Sequence, residues 1–387
     1  MILVKQSVGL DVSSDKFKAA SVVLDNEQRV QVKATRSFGN NPGGFQEFDQ
    51  WMRQHTNSRI ALSCTLEATG VYYENLAWHL HLQGYAVSVV LPNKARKYMQ
   101  SLGFKSKNDK VDAKGLAHLG AQQALPVWKP VSEQLLQLRH LTRHWESLQR
   151  LSTIASNQLH ALEHSRVQNK LVKRQLVQTQ KSLARQITQV KAAIETLVEK
   201  DEQLHPRFAQ LCKIKGVALL TVAVLVAETN GFAAFENARQ LISYAGYDVV
   251  EDQSGKHVGK TKISKKGNSH IRRALHMPAL NVVLFKQRPF SDFYHRVYER
   301  SKIKMKAYVA VQKKLLTILY ALWKNNAAFN EHHQTQVNTS GNEESNVLFP
   351  FSPKKKQKAV VPQQGGTTQD EHRCNESPNV LFPLLQT

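Results

Sequence analysis

The chain has 387 residues, 41% of them hydrophobic, which is enough apolar material for about two or three domains with cores of their own. Lysine and arginine number 53 against 30 acidic residues, a formal charge of +23. That surplus favours a polyanionic partner, because each neutralised phosphate releases condensed counterions. Cys64, Cys212 and Cys374 lie far apart with no C-x-x-C spacing, which argues against a zinc ribbon or a disulfide framework, and the longest apolar run, 217–227, falls short of the ~20 residues a membrane span needs.

Residues 1 to about 125 alternate strand-like and helix-like segments. Ser7-Val-Gly-Leu-Asp-Val12 and Lys18-Ala-Ala-Ser-Val-Val-Leu24 are apolar runs bounded by Ser and Asp, the pattern of buried strands. The aromatic spacing over 43–52 predicts a helix face, 59–66 a strand, 72–83 a helix, and 85–91 a strand ended by Pro92. Strand, helix and strand in turn predict a mixed α/β domain over 1–128.

From 131 to 205 there is neither glycine nor proline, and apolar residues recur at three-and-four spacing: Leu138, Leu141, Trp145 and Leu148, later Leu183, Ile187, Val190, Ile194 and Leu197. One unbroken helix of that length would run ~110 Å. The pattern therefore predicts two antiparallel or coiled-coil helices with a bend in the polar stretch 164–169, either a dimerising or nucleic-acid-contacting arm or a plain linker. His140 with His144, and His160 with His164, are i,i+4 pairs without an evident third ligand, and read as polar helix surface. Pro206 opens a mostly helical region to 328. Beyond it, 331–387 is rich in Gln, Asn, Ser, Gly, Pro and Lys, which predicts disorder; this tail repeats Asn-Val-Leu-Phe-Pro at 346–350 and 379–383.

Two constellations carry chemistry. Asp11 and Glu67 each end a predicted strand, while Asp109 and Asp112 form a D-x-x-D pair whose spacing puts both carboxylates on one helix face. Four gathered carboxylates repel one another unless a cation sits between them. Hard oxygen ligands suit Mg²⁺ or Mn²⁺, and such a site serves phosphodiester chemistry. Between Lys94 and Lys114 there are seven lysines and arginines and only those two acids, so Lys94, Arg96, Lys97, Lys105 and Lys107 are candidate phosphate contacts. Taken singly, each acid reads equally as a turn cap or a solvated helix surface.

The second constellation runs from Glu251 to Arg273. Seven of its residues from Lys256 onward are basic and none is acidic, and Gly255, Gly259 and Gly267 break it into turns. Ser254 beside Gly255 is a candidate nucleophile on an exposed loop, or an ordinary turn residue. A serine needs a base or a metal to attack phosphorus, and the expectation is that the metal site supplies it across domains or subunits. Lys260, Lys262, Lys265, Lys266, Arg272 and Arg273 are candidate phosphate contacts. Upstream, residues 211–223 have the glycine turn of a helix-hairpin-helix at Gly216, with Ala218 where a second glycine is usual; a packed helical hairpin explains the segment nearly as well.

In order, Gly9-Leu-Asp-Val-Ser, Leu66-Glu-Ala-Thr-Gly-Val-Tyr, Asn108-Asp-Lys-Val-Asp-Ala, Ile214-Lys-Gly-Val, and Ala245-Gly-Tyr followed by Ser254-Gly, Ile263-Ser-Lys-Lys-Gly-Asn and Ile271-Arg-Arg-Ala-Leu resemble the DEDD transposases of the insertion-sequence 110 type, relatives of the Piv-type DNA invertases. The likeness covers residues 1 to about 325, and the tail has no place in it. It implies a RuvC-like, RNase H-fold domain holding a metal on Asp11, Glu67, Asp109 and Asp112. It further implies a transposase domain whose Ser254 joins covalently to DNA, with the metal site of one subunit working with the serine of another in a dimer or tetramer. A structured guide RNA pairing with donor and target DNA is likewise implied. The resulting expectation is a recombinase that mobilises an insertion sequence in a bacterial or archaeal cytoplasm, at the nucleoid. The N-terminus, Met1-Ile-Leu-Val-Lys-Gln, lacks signal-peptide features and agrees with that location. An invertase with the same residues, a RuvC-like junction nuclease using the acids alone, and a non-catalytic nucleic-acid chaperone are the competing readings.

Overall fold

A computed structural model describes residues 2–103, 108–251, 253–254, 257–259 and 261–330, with backbone only at 257 and 258. The repeated tail, Cys374 and the candidate contacts Lys105, Lys107 and Lys260 lie outside the described residues. Residues 1–331 form one compact unit.

The N-terminal part is a five-stranded mixed sheet with helices on its faces. Strands β1 (Leu3–Val12), β2 (Lys16–Asp25) and β3 (Val30–Gly39) form an antiparallel meander. Helix α1 (Pro42–His55) leads to β4 (Leu62–Glu67), and α2 (Glu74–Leu82) to β5 (Ala86–Val90). Both β4 and β5 pair in parallel, giving the order β3-β2-β1-β4-β5. Helix α3 (Pro92–Ser101) and helix α4 (Asp109–Gln122) complete this part. The even residues of β1 and β4 (Val8, Leu10, Val12, Cys64, Leu66) pack with Phe17, Phe38, Phe48 and Trp51 on one face, as strand alternation requires. Most expected strands and helices are present within a few residues. Strand β3 and helix α3 are additions; Gln31, Val32 and Lys33 of β3 stand exposed at the sheet edge, so no apolar pattern announces that strand.

The glycine- and proline-free stretch forms two 31-residue helices, α5 (Glu133–Glu163) and α6 (Lys170–Lys200), each ~46 Å long. Helix α5 ends where the bend was expected, and Asn169 caps α6 by accepting from the amides of Leu171 and Val172. The helices run antiparallel: Leu148 and Ala155 meet Leu183, while Leu138 joins Ile194 and Val198 in the C-terminal core. All four histidines of the i,i+4 pairs are exposed.

The C-terminal region is helical: α7 (Leu204–Cys212), α8 (Leu219–Thr229), α9 (Ala238–Tyr244), α10 (Ser269–Ala274), α11 (His276–Leu284), α12 (Phe290–Ser301) and α13 (Lys304–Asn325). Between α9 and α10 lie four two-residue strands, β6 (Val249–Val250), β7 (Gln253–Ser254), β8 (His257–Val258) and β9 (Lys262–Ile263). Among the described residues no helix is long and apolar enough to cross a membrane.

Candidate active site

The position of α4 decides the first site. Gly9 of β1 lies so close under α4 that a Cβ there would fall on the Ala113 carbonyl and the Ala117 amide. At the other end of α4, the Lys5 amine and the Ser63 hydroxyl donate to the Gly120 carbonyl, at 2.6 and 3.4 Å. Helix α4 therefore runs opposite to β1 and β4, on the face of their odd residues. Asp11 lies two residues beyond Gly9, ~7 Å along the strand. Asp109 lies four before Ala113, ~6 Å along the helix in the same direction. The two meet at one rim, and a cleft of about 210 Å³ is lined by Asp11, Asp109, Ser13, Lys16, Phe17, Lys18 and Ser37.

Asp11 sits opposite Lys18 in the β1–β2 register, and both line the cleft. Glu67 stands on the same face at the parallel end of β4, one step past the Leu10–Leu66 pair, and accepts from the Thr69 hydroxyl at 3.0 Å. Asp109 and Asp112 occupy the first turn of α4, a position that the helix N-terminus itself favours for acids. Asn108 caps that turn by accepting from the Val111 amide at 3.0 Å. Among the described residues no three His, Cys, Asp or Glu side chains converge closely enough to hold an ion. Lys94, Arg96 and Lys97 are exposed on α3. Lys16, Lys18 and Ser37 were not among the expected site residues. Cross-strand register places them, Lys16 and Lys18 on β2 beside β1 and Ser37 on β3 opposite Lys18.

Ser254 is exposed on a hairpin in which its backbone pairs with that of His257. Lys262, Lys265 and Lys266 are exposed nearby in sequence. Arg272 and Arg273 are already engaged within the protein. Arg272 donates to the carbonyls of Ala245, Gly267 and Asn268, at 2.8, 3.2 and 3.2 Å, and Arg273 pairs with Glu146 of α5. Gly216, the hairpin glycine, has φ +98°, and a Cβ there would stand 2.7 Å from Asn281 Cβ, so α11 fills the space in front of it.

The family model for the "Transposase IS116/IS110/IS902 family" matches residues 209–295, and a DEDD transposase model matches 8–164. A pilin gene-inverting protein of Moraxella bovis is 30% identical over 328 residues, covering 84% of this chain and 98% of that protein. This chain belongs to the IS116/IS110/IS902 transposase family. It is thus an enzyme that cuts and rejoins DNA. An insertion element protein of Streptomyces coelicolor is 26% identical over 148 residues, 37% of this chain and 36% of that protein. RuvC of T. thermophilus bound to a Holliday junction covers 32% of this chain and 99% of its own, at 9% identity and a TM-score of 0.25, an overlap from which no fold assignment follows.

The transposase contains a second polar cluster, which its sequence does not announce. Glu228 of α8 is 4% exposed and receives both Arg143 nitrogens, at 2.7 and 3.0 Å, together with the Asn268 amide at 2.6 Å. Burial pushes the Glu228 carboxyl up, but hydrogen bonds from Arg143 and Asn268, and the charges of Arg143 and His270, outweigh it and hold the carboxyl below its ordinary value. His270 donates from Nδ1 to Glu146, and burial keeps its imidazole below the ordinary range. Asn268 also caps α10 by accepting from the amides of His270 and Ile271. The cluster ties the segment that follows the serine hairpin to the arm helix α5.

Proposed function

We propose that the chain is a Mg²⁺- or Mn²⁺-dependent recombinase that mobilises an insertion sequence, with Ser254 as nucleophile and Asp11, Glu67, Asp109 and Asp112 as metal ligands. The observation that carries this reading is the cleft shared by Asp11 and Asp109, with Glu67 at the neighbouring strand end and Lys18 beside them. A donor set made only of carboxylate oxygens suits a hard divalent cation. Such an ion, when bound, supplies charge neutralisation at the attacked phosphate and activation of the attacking oxygen. The strand order and the carboxylates at strand ends support an RNase H-like, RuvC-type reading of residues 1–128.

In this reading Ser254, exposed on its hairpin, reaches phosphorus, and Lys262, Lys265 and Lys266 hold the flanking backbone. The family resemblance implies an assembly in which a second subunit's cleft meets the serine. A structured guide RNA would pair with donor and target while the protein reads backbone and shape. The 30% identity to pilin gene-inverting proteins supports a second reading, inversion of a chromosomal segment by the same residues.

Incubating the protein with Mg²⁺, element-end RNA and target DNA tests the first reading. A serine-linked DNA adduct is expected, and Ser254→Ala should abolish adduct and strand exchange while leaving DNA binding within about twofold. Normal recombination by that variant removes the serine from the mechanism.

A further inference from the structure

Away from both sites, the segment from Lys286 to Lys314 carries nine lysines and arginines and two acids, Asp292 and Glu299. Both acids are taken: Asp292 faces Arg288 at 3.7 Å and Glu299 faces Lys302 at 2.5 Å. The remaining cations are not spread apart. Phe293 of α12 carries two of them, the Arg296 guanidinium 5.2 Å and the Lys314 amine 4.9 Å from its ring centre. The same amine donates to the Pro289 carbonyl at 3.2 Å. Burial, and then the charge of Arg296, push Lys314 down to about 8 against an opposing pull from Asp292. Arg296, Arg300, Lys304 and Lys306 are exposed, and between the lysines Ile303 and Met305 stand more than half exposed.

We propose that the α12–α13 hairpin is a sequence-independent anchor for the phosphate backbone of duplex DNA flanking the reaction centre, with Arg296 and Lys314 as its fixed contact and Lys304 and Lys306 as its mobile one. From Lys304 to Lys314 is ~15 Å along α13, and a duplex presents ~9 charges over that length. Gathered cations beside exposed aliphatic side chains match phosphates alternating with sugars. Most of these cations lie beyond residue 295, where the match to the transposase family model stops. The inference needs only the DNA substrate of the family, not the serine or metal assignments.

The test uses the full chain and a random-sequence 30-base-pair duplex, with affinity measured by fluorescence anisotropy across salt concentrations. The variants are Arg296→Gln/Lys314→Gln, Lys304→Gln/Lys306→Gln and all four together, each checked for folding by circular dichroism and thermal melting. Each folded pair variant should bind at least about tenfold more weakly near 0.1 M salt. The log–log salt slope should fall by ~2 per pair and ~3.5 for all four. An unchanged slope in the folded fourfold variant overturns the anchor. So does a loss confined to a structured RNA or to anionic vesicles, with duplex binding intact. Ser254→Ala assayed in parallel separates the two readings: recombination surviving in it would remove the serine mechanism and leave the slope result standing.

Discussion

The cleft at Asp11 and the cluster at Glu228 are built from the same residue types, and their surroundings give them opposite characters. Glu228 is enclosed, and each of its oxygens meets a guanidinium or amide nitrogen that the protein supplies. Asp11 and Asp109 line an open cleft with Lys16 and Lys18 at its wall. An enclosed carboxylate whose lone pairs are filled by the chain itself is a structural contact that is costly to break. Carboxylates at an open rim remain accessible to a cation from solvent, which is what the proposed metal site requires. Position in sequence distinguishes neither case; enclosure does.

The sharpest way to break this contrast acts through backbone. Gly9→Ala drives a methyl into the Ala113 carbonyl and the Ala117 amide and should lift α4 from β1. A loss of about 3 kcal/mol is expected, with a lowered urea midpoint and loss of DNA cleavage together. Next comes Glu228→Ala, which strands Arg143 and Asn268. Breaking a buried pair costs about 3–5 kcal/mol, reduced here toward about 2–3 because the Arg143 side chain is half exposed. A smaller effect follows from acid. The folded value of Glu228 lies below its unfolded value near 4.5, so its contribution is complete above that pH and disappears as pH falls through the lower folded value. Glu228→Gln should flatten that part of the acid-unfolding curve and leave stability above pH 5 independent of pH at this site. The smallest structural effect belongs to the open rim. Asp109→Asn removes a favourable charge from an exposed helix N-terminus and should cost less than about 1 kcal/mol, while abolishing metal-dependent cleavage. Loss of stability comparable to that of Glu228→Ala would make Asp109 a structural residue and undo the contrast.

The elements themselves were largely legible. Apolar runs bounded by polar residues and Pro92 announced β1, β2, β4 and β5, three-and-four spacing announced α5 and α6, and the polar stretch 164–169 marked their turn because it offers nothing to bury. Strand β3 escaped because an edge strand with exposed polar residues is determined by pairing with β2, not by a pattern of its own. Site residues divide in the same way. Asp11, Glu67 and the Asp109–Asp112 pair could be picked out as acids at the ends of periodic segments. Lys18 could not, because its place beside Asp11 is a matter of cross-strand register. Arg272 and Arg273 looked like free cations in a basic run, yet both have partners in the protein.

The linear chain thus determined what depends on neighbours within a few residues: strand and helix periodicity, caps, the charge surplus, and the family motifs. Only the folded chain decided that α4 crosses β1 at Gly9 and carries Asp109 to Asp11, and that Arg143 meets Glu228 across 85 residues. Both depend on close packing between distant segments, where one methyl group or one lone pair sets the outcome, and no local pattern carries that information.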